Sequence, residues 1–498
     1  MSIWLDSCKL KTYEKLNKDI NCDVCIVGGG ITGISTAYYL CKKGFSVSIL
    51  EKDCILQKTS GNTTGKITSQ HNIFYDYLYK TFGLEFAKDY FEANEFAKSN
   101  IENIINYNNI NCDFEKNSAY VFTQKESNVI QFKDEFKSLK HINPNAELID
   151  NIELPLSIKS AIKFPNQAQF NPLKYINGLL EILENYKVNI YENSKVNDIK
   201  KNDDFYTVLT DNGCVNSKFV VLACGYPFIN FPGFHFLKMY QSSAYTIALE
   251  TNLPIIDNMY ISFEAPTLSY RTAFYNNKKI AIIAGFDHKT GKLQDSQNAY
   301  LFLEQIANKI YPDNKVISKW STEDCVSVDK LPYIGSFSTF MPQVYIATGF
   351  KKWGITTSNL AANILCDEIC GIPNKYAYLF NSKRFHPFKN IDETKNNIKE
   401  ATEGVIFKKF ILKDFDIEKI PNNSSKIFKA DGEIIGVYKD ENEEIHAVKP
   451  VCSHLGCLLS WNNTLKTWDC PCHGSRYNID GKCIYGPSNN SLPKINIE

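Results

Sequence analysis

Arginine is almost missing from this chain. Of 55 basic residues only Arg271, Arg384 and Arg476 are arginine, and lysine supplies the rest. Acidic residues also number 55, so the net charge is zero. No net field gathers nucleic acid or anionic lipid, and neither is expected as a partner. Long apolar runs are missing too: none approaches the ~20 residues that span a bilayer. The opening stretch MSIWLDSCKLKTYEKLNKD has no apolar core of signal-peptide length. The expectation is a cytoplasmic protein without a transmembrane segment, its cysteines kept as thiols. Cys8, Cys22, Cys25, Cys41, Cys112, Cys214 and Cys325 stand singly, as small buried hydrophobes do.

What is present begins with a nucleotide-binding pattern. Asp23–Val27 reads as a short apolar strand, and GGGITG follows directly, with Gly28, Gly30 and Gly33 in GxGxxG spacing. A helical pattern comes next, with Ile34, Ala37, Tyr38, Leu40 and Cys41 on one face and Gly44 as its C-terminal stop. A second strand, FSVSIL, ends at Glu51. Glycines there let the backbone approach a pyrophosphate at the helix N-terminus, and Glu51 is placed to accept from a ribose hydroxyl. The motif alone does not separate FAD from NAD.

Later segments extend the pattern. Thr59–Thr68 is a second loop of small residues, and VVLACGYPF is a buried strand reaching Gly225. Leu331–Ser358 reads as a strand, a glycine turn and a new helix whose N-terminus faces a polar ligand. In this order the set resembles the FAD-dependent D-amino-acid oxidase/glycine oxidase superfamily over residues 15–380, and in particular a bacterial subgroup carrying a C-terminal Rieske domain. GGGITGISTAYYL, SQHNIFYDYL, AQFNPLKYINGL and GFDHKTG carry the likeness.

That resemblance implies an α/β FAD-binding Rossmann-like domain with an interleaved α+β substrate domain, together residues 1–385. Cofactor segments would fall at about 20–75, 165–230 and 320–380, and substrate segments at about 75–165 and 230–320. It also places flavin contacts on Gly28, Gly30, Gly33, Glu51, Lys52, Thr63, Thr64, Gly65, Lys66, Val196, Gly225, Gly335, Gly349, Gly354 and Thr356. Arg271, on an expected strand in the substrate part, is a candidate fork for a substrate carboxylate. Lys351, beside the flavin-proximal glycine, is a candidate for tuning flavin charge or oxygen access. For His71 and His288 an ordinary hydrogen-bonded role is expected.

Residues 386–402 are polar and charged and read as a linker. Beyond them, GVIFKKFIL, SKIFKA, EIIGVYKD and EIHAVK alternate as short strands, with turns at Asp431–Gly432 and Glu441–Asn442, giving a small β domain over 403–498. It carries Cys452-x-His454 and Cys470-x-x-His473, separated by fifteen residues. Two cysteines and two histidines would suit zinc. Against zinc stand the unusual C-x-H spacing, two surplus cysteines (Cys457 and Cys472) in the same loops, and the hydroxyls of Ser475 and Tyr477 next to the ligands.

The set resembles the Rieske [2Fe–2S] domain, in which two cysteines hold one iron and two histidines the other. The resemblance implies a Cys457–Cys472 disulfide, a covering loop at Tyr485–Pro493, and hydrogen bonds from Ser475 and Tyr477 that raise the cluster potential. The expected activity is oxidation of a small amine or amino-acid-like substrate by hydride transfer to FAD, with electrons passing singly through the cluster to an unidentified one-electron partner. A reductase running the other way, with the partner as donor, and a redox sensor are the alternatives.

Overall fold

Ile20–Val27 enters the structure as the strand that organises everything around it. The computed structural model describes residues 1–292, 296–384, 417–430 and 432–496. The last four residues of that strand are buried on both faces, as a parallel strand between two neighbours requires. It pairs in parallel with Cys214–Leu222 on one side and Val47–Leu50 on the other. The first sheet runs in the order Tyr333–Ser338, Met341–Thr348, Cys214–Leu222, Ile20–Val27, Val47–Leu50, Val188–Tyr191, and the hairpin Val196–Lys201/Tyr206–Thr210 attaches to Cys214–Leu222.

Helix Ile31–Lys42 covers this sheet and is buried along nearly its whole length, because Gly354–Ile369 packs over it. The turn back to the second strand is made by Gly44, whose φ is +89° and whose N–H donates to Cys41. Helix Pro172–Leu183 is capped by Asn171, whose side chain accepts from Leu173 N and Lys174 N.

A second, nine-stranded sheet packs beside the first, in the order Lys315–Ser327, Met239–Glu250, Lys278–Lys289, Leu268–Tyr275, Met259–Ser262, Glu115–Thr123, Ser160–Gln169, Lys66–Ile67, with Glu147–Ile149 on its flank. Part of the chain expected in the cofactor segments lies in this sheet. Lys66–Ile67, Ser160–Gln169 and all of Lys315–Ser327 are strands of this second sheet, so the chain changes layers at different points from those the cofactor motifs mark.

The C-terminal part is all β: a three-stranded sheet (Ser424–Ala430, Glu433–Lys439, Ile445–Val448) and a four-stranded one (Ser460–Asn462, Thr467–Asp469, Arg476–Tyr477, Cys483–Tyr485). The linker at 386–402, the first expected strand GVIFKKFIL and Asp431 of one expected turn lie outside the described residues. Among the described residues no helix is long and apolar enough to cross a membrane.

Candidate functional site

Two sets of residues converge, one on each side of a contact between the flavoprotein-like part and the β part. The first gathers at the carboxyl edge of the parallel strands, where open α/β sheets bind ligands. Gly28 follows Val27 at φ +116°, and a Cβ there would lie 2.5 Å from Ala223 O. A Cβ on Gly33 would lie 2.0 Å from Gly28 O, so the helix presses directly on the turn. Glu51, at the end of the neighbouring strand, accepts from Gly29 N at 2.9 Å and Asp53 N at 3.1 Å, and burial pushes its carboxyl up.

Gly30 caps helix Ile31–Lys42, and Trp353 caps Gly354–Ile369; neither cap has a side-chain hydrogen bond to its helix. Two helix N-termini therefore face this edge with positive dipole ends, suited to a pyrophosphate and to an electron-rich ring. Gly225 and Gly349 lie at the same edge, and Thr348 Oγ1 donates to Gly225 O. Thr356 Oγ1 ties that second helix to Thr68. Such a glycine-lined edge fits a dinucleotide.

Gly335 pairs with Ile346, level with Leu222 and Val27 at the ends of their strands, and a Cβ on it would lie 3.2 Å from Glu368 Oε1. Other expected contacts fall differently. Thr63, Thr64 and Gly65 form a loop that runs into strand Lys66–Ile67, held from behind by Arg271. This buried arginine donates through Nη1 to Thr64 O, Gly65 O and Phe170 O, and through Nε to Thr272 O. Arg271 therefore braces the loop, and its fork is not turned to a substrate carboxylate as expected. Lys66 Nζ bonds Tyr260 O and Ser269 Oγ, and burial brings its pKa down to about 7.

Lys351 sits in the turn before Gly354, its ammonium 4.5 Å from the Phe74 ring centroid. His71 is hydrogen-bonded to Tyr90 OH and Thr68 O and stacks on Trp353. His288 bonds Tyr245 OH and Lys289 O.

The second set lies in the β part. Cys452 and Cys470 are buried side by side, and the Cys470 thiol's hydrogen bond, reinforced by Tyr477 and Ser475, holds Cys452 below the usual thiol range. Cys470 is raised in turn by Cys452 and by burial. The rings of His454 and His473 are 5.1 Å apart between centroids, and among the described residues neither buried Nδ1 has a hydrogen-bond partner. Burial lowers His454 to about 4 and His473 to about 3, so both are neutral imidazoles with a lone pair to give.

Two soft sulfurs and two unpartnered imidazole nitrogens fit a Cys2His2 iron–sulfur centre. Cys470 Sγ also lies within 4.8 Å of the Cys457 and Cys472 sulfurs, but those two are joined to each other as the expected disulfide. Tyr477 OH is 3.3 Å from Cys452 Sγ, and buried Ser475 accepts from Ser488 N at 2.9 Å.

Comparison with known proteins decides between the chemistries this geometry allows. Residues 23–368 match the FAD dependent oxidoreductase family, and residues 411–496 match the Rieske [2Fe-2S] domain. The chain belongs to the FAD dependent oxidoreductase family. Its cofactors are FAD and a [2Fe–2S] cluster. The Bacillus subtilis (strain 168) protein YhfW, described as a Rieske 2Fe-2S iron-sulfur protein, is 34% identical over 99% of this chain and 97% of its own. Gamma-glutamylputrescine oxidoreductase of Escherichia coli (strain K12) is 22% identical over 77% of this chain and 89% of its own. The fold is shared with glycine oxidase from Geobacillus kaustophilus, with a TM-score of 0.63 at 17% identity, covering 74% of this chain and 100% of that one.

The contact between the two parts was not anticipated by the motifs. Arg476 of the Rieske part is fully buried and forks onto Asp469 with two 2.8 Å bonds, while its Nη1 donates to Glu323 on the substrate-side sheet. Lys58 Nζ donates to Ile484 O at 3.1 Å, Asn489 Nδ2 to Val196 O at 3.2 Å, and Gln241 to Gly486 O. Val196, expected as a flavin contact, is thus engaged by the loop that covers the cluster residues. Lone Arg476, between Ser475 and Tyr477, was a signal of sorts; Glu323 offered none.

Proposed function

We propose that the chain oxidises a small amine or amino-acid-like substrate at its flavin and delivers the electrons singly to its Rieske centre. From there they go to an external one-electron acceptor. When bound, FAD supplies a two-electron acceptor and the cluster a one-electron carrier. The observation that carries this reading is the shared contact: cluster ligand His454 reaches Asn230, five residues along the chain from Gly225 at the dinucleotide edge.

The substrate class follows from the likeness to gamma-glutamylputrescine oxidoreductase and to the glycine oxidase fold. The flavin would be held by Gly28, Gly30, Gly33, Glu51, Gly225, Gly349 and Gly354, with Arg271 bracing the loop at Thr64–Gly65 and Lys351 set at the turn into the second helix. Cys452, Cys470, His454 and His473 would be the iron ligands. The direction is supported by Tyr477, whose hydroxyl stands beside Cys452 Sγ. A donor there favours the reduced state, and Rieske potentials of roughly −150 to +300 mV lie well above those of plant-type ferredoxins. We take residues 1–385 and 403–498 as the two domains. A cytoplasmic location suits a chain that leaves fourteen cysteines out of disulfides.

Anaerobic screening of amines, amino acids and hydroxy acids should find compounds that bleach the flavin absorbance. In rapid mixing the flavin band should bleach before the cluster band, and Cys452→Ser should lose the cluster but keep substrate bleaching. Cluster reduction ahead of the flavin, or reduction only by a ferredoxin-like donor, would replace this reading with the reductase.

A further inference from the structure

We infer that Asn230, a residue of the flavoprotein part, is a positioning residue for the Rieske cluster: its side-chain amide orients His454 and sets the cluster's reduction potential. This rests on residues 452–477 holding a Rieske cluster. It does not rest on the substrate or on the direction of electron flow.

The two ring nitrogens of His454 meet different surroundings. Nδ1 is buried and has no hydrogen-bond partner among the described residues, whereas Nε2 lies 2.9 Å from Asn230 Oδ1. A neutral imidazole has one N–H and one lone pair. With the lone pair of Nδ1 given to iron, the proton stands on Nε2 and is donated to the Asn230 carbonyl oxygen. An outer acceptor of this kind fixes the ring and makes the imidazole a stronger electron donor. Among the described residues His473 shows no equivalent: its Nδ1 is likewise without a partner, and Phe236 and His454 stand edge-on to its ring.

Asn230 is itself held in place. It belongs to the connection between Cys214–Leu222 of one sheet and Met239–Glu250 of the other, and its carbonyl accepts from Phe234 N at 2.9 Å. Six residues on, Phe236 stands edge-on to both histidines, 6.0 Å from His454 and 6.1 Å from His473 between ring centroids. The histidine edge of the cluster site is therefore turned toward the flavoprotein part, against a segment anchored at Gly225 by Thr348. An acceptor supplied by the flavoprotein part to the outer nitrogen of His454 makes the cluster's potential depend on this contact.

The test is a mediated redox titration of the holoprotein, following the electron paramagnetic resonance signal of the reduced cluster and the flavin absorbance together. Asn230→Ala removes the acceptor, so the imidazole donates less electron density and reduction is favoured. The reduction equilibrium should rise about tenfold, or ~59 mV for one electron. Asn230→Asp offers an anionic acceptor and should move it the opposite way, with the flavin potential unchanged in both. Opposite shifts are what a merely structural asparagine would not give. No shift in either variant at normal iron content, or shifts of the same sign, would overturn the proposal. So would loss of the cluster from both variants with FAD retained, since an outer partner is not a ligand. Should the unaltered protein show no Rieske-type signal, the cluster reading itself fails, which is a separate outcome.

Discussion

At the scale of single residues, Tyr477 shows how a hydroxyl is aimed. Its oxygen accepts from Ser453 N at 3.3 Å, and Cys452 Sγ and Ser453 Oγ both lie 3.3 Å from it; a cluster-bound thiolate has no proton to give, so toward that sulfur the O–H is the donor. A donor to sulfur stabilises the more negative, reduced cluster. Tyr477→Phe removes that donor while keeping the fully buried ring, so the potential should fall. A hydrogen bond to a charged group is worth about 1.5–3 kcal/mol, but only its difference between redox states counts. A drop on the order of 59 mV, tenfold in equilibrium, is expected in redox titration; an unchanged potential would mean the hydroxyl does not address the cluster. Ser475→Ala is a less clean test, because Ser475 also satisfies Ser488 N. The candidate ligands and these hydroxyls could be picked out in the sequence because they sit in two short loops at fixed spacing, which the structure brings together. The role of Arg271 was not: its acceptors, Thr64, Gly65 and Phe170, come from two chain-distant segments, and nothing local marks an arginine that will spend itself on carbonyls.

At the scale of elements, the strand–turn–helix at Ile20–Lys42 was readable because every local preference agrees there: apolar strand, glycine turn, helix with one buried face. The interleaving of the two sheets was harder to read. Lys315–Ser327 alternates as a strand in either sheet, and only its pairing with Met239–Glu250 assigns it. The glycine turn yields a prediction that separates fit from strain. Gly33→Ala places a methyl 2.0 Å from Gly28 O, so the helix must move off the turn, at a cost of about 1–3 kcal/mol. FAD stoichiometry in the purified variant should fall together with the melting temperature. Gly44→Ala is the control: its φ is +89° but no atom of the described residues lies within 4 Å of the added Cβ. It should cost roughly 1–2 kcal/mol of backbone strain and leave FAD content intact. Equal FAD loss in the two variants would mean that general destabilisation, and not the helix–turn contact, governs cofactor binding.

At the scale of the whole molecule, the chain spends one of its three arginines on joining its two parts. Arg476 is buried between Asp469 of its own sheet and Glu323 of the other part, with side-chain exposures of 3%, 1% and 2%. Both carboxylates raise its pKa above the ordinary arginine value, against the burial that would lower it. Removing one partner of a buried ion pair leaves uncompensated charge and costs about 3–5 kcal/mol. Arg476→Ala should therefore loosen the Rieske part first, because Asp469 and the cluster loops share its small core. In urea, flavin and cluster absorbance should be lost together in the unaltered protein and separately in the variant, with the cluster going first. The pH dependence follows from Glu323. Burial already raises its pKa, opposed mainly by Arg476, and without the arginine the rise is larger. A carboxyl whose folded pKa lies above its unfolded value contributes stability below the unfolded pKa and loses it as pH rises through the folded one. The deficit of Arg476→Ala should thus shrink as pH falls from neutral toward the carboxylate range, and Arg476→Ala combined with Glu323→Gln should recover part of it at pH 7. Coincident transitions in Arg476→Ala, with a midpoint independent of pH, would show that the two parts are held together by their other contacts and not by this ion group.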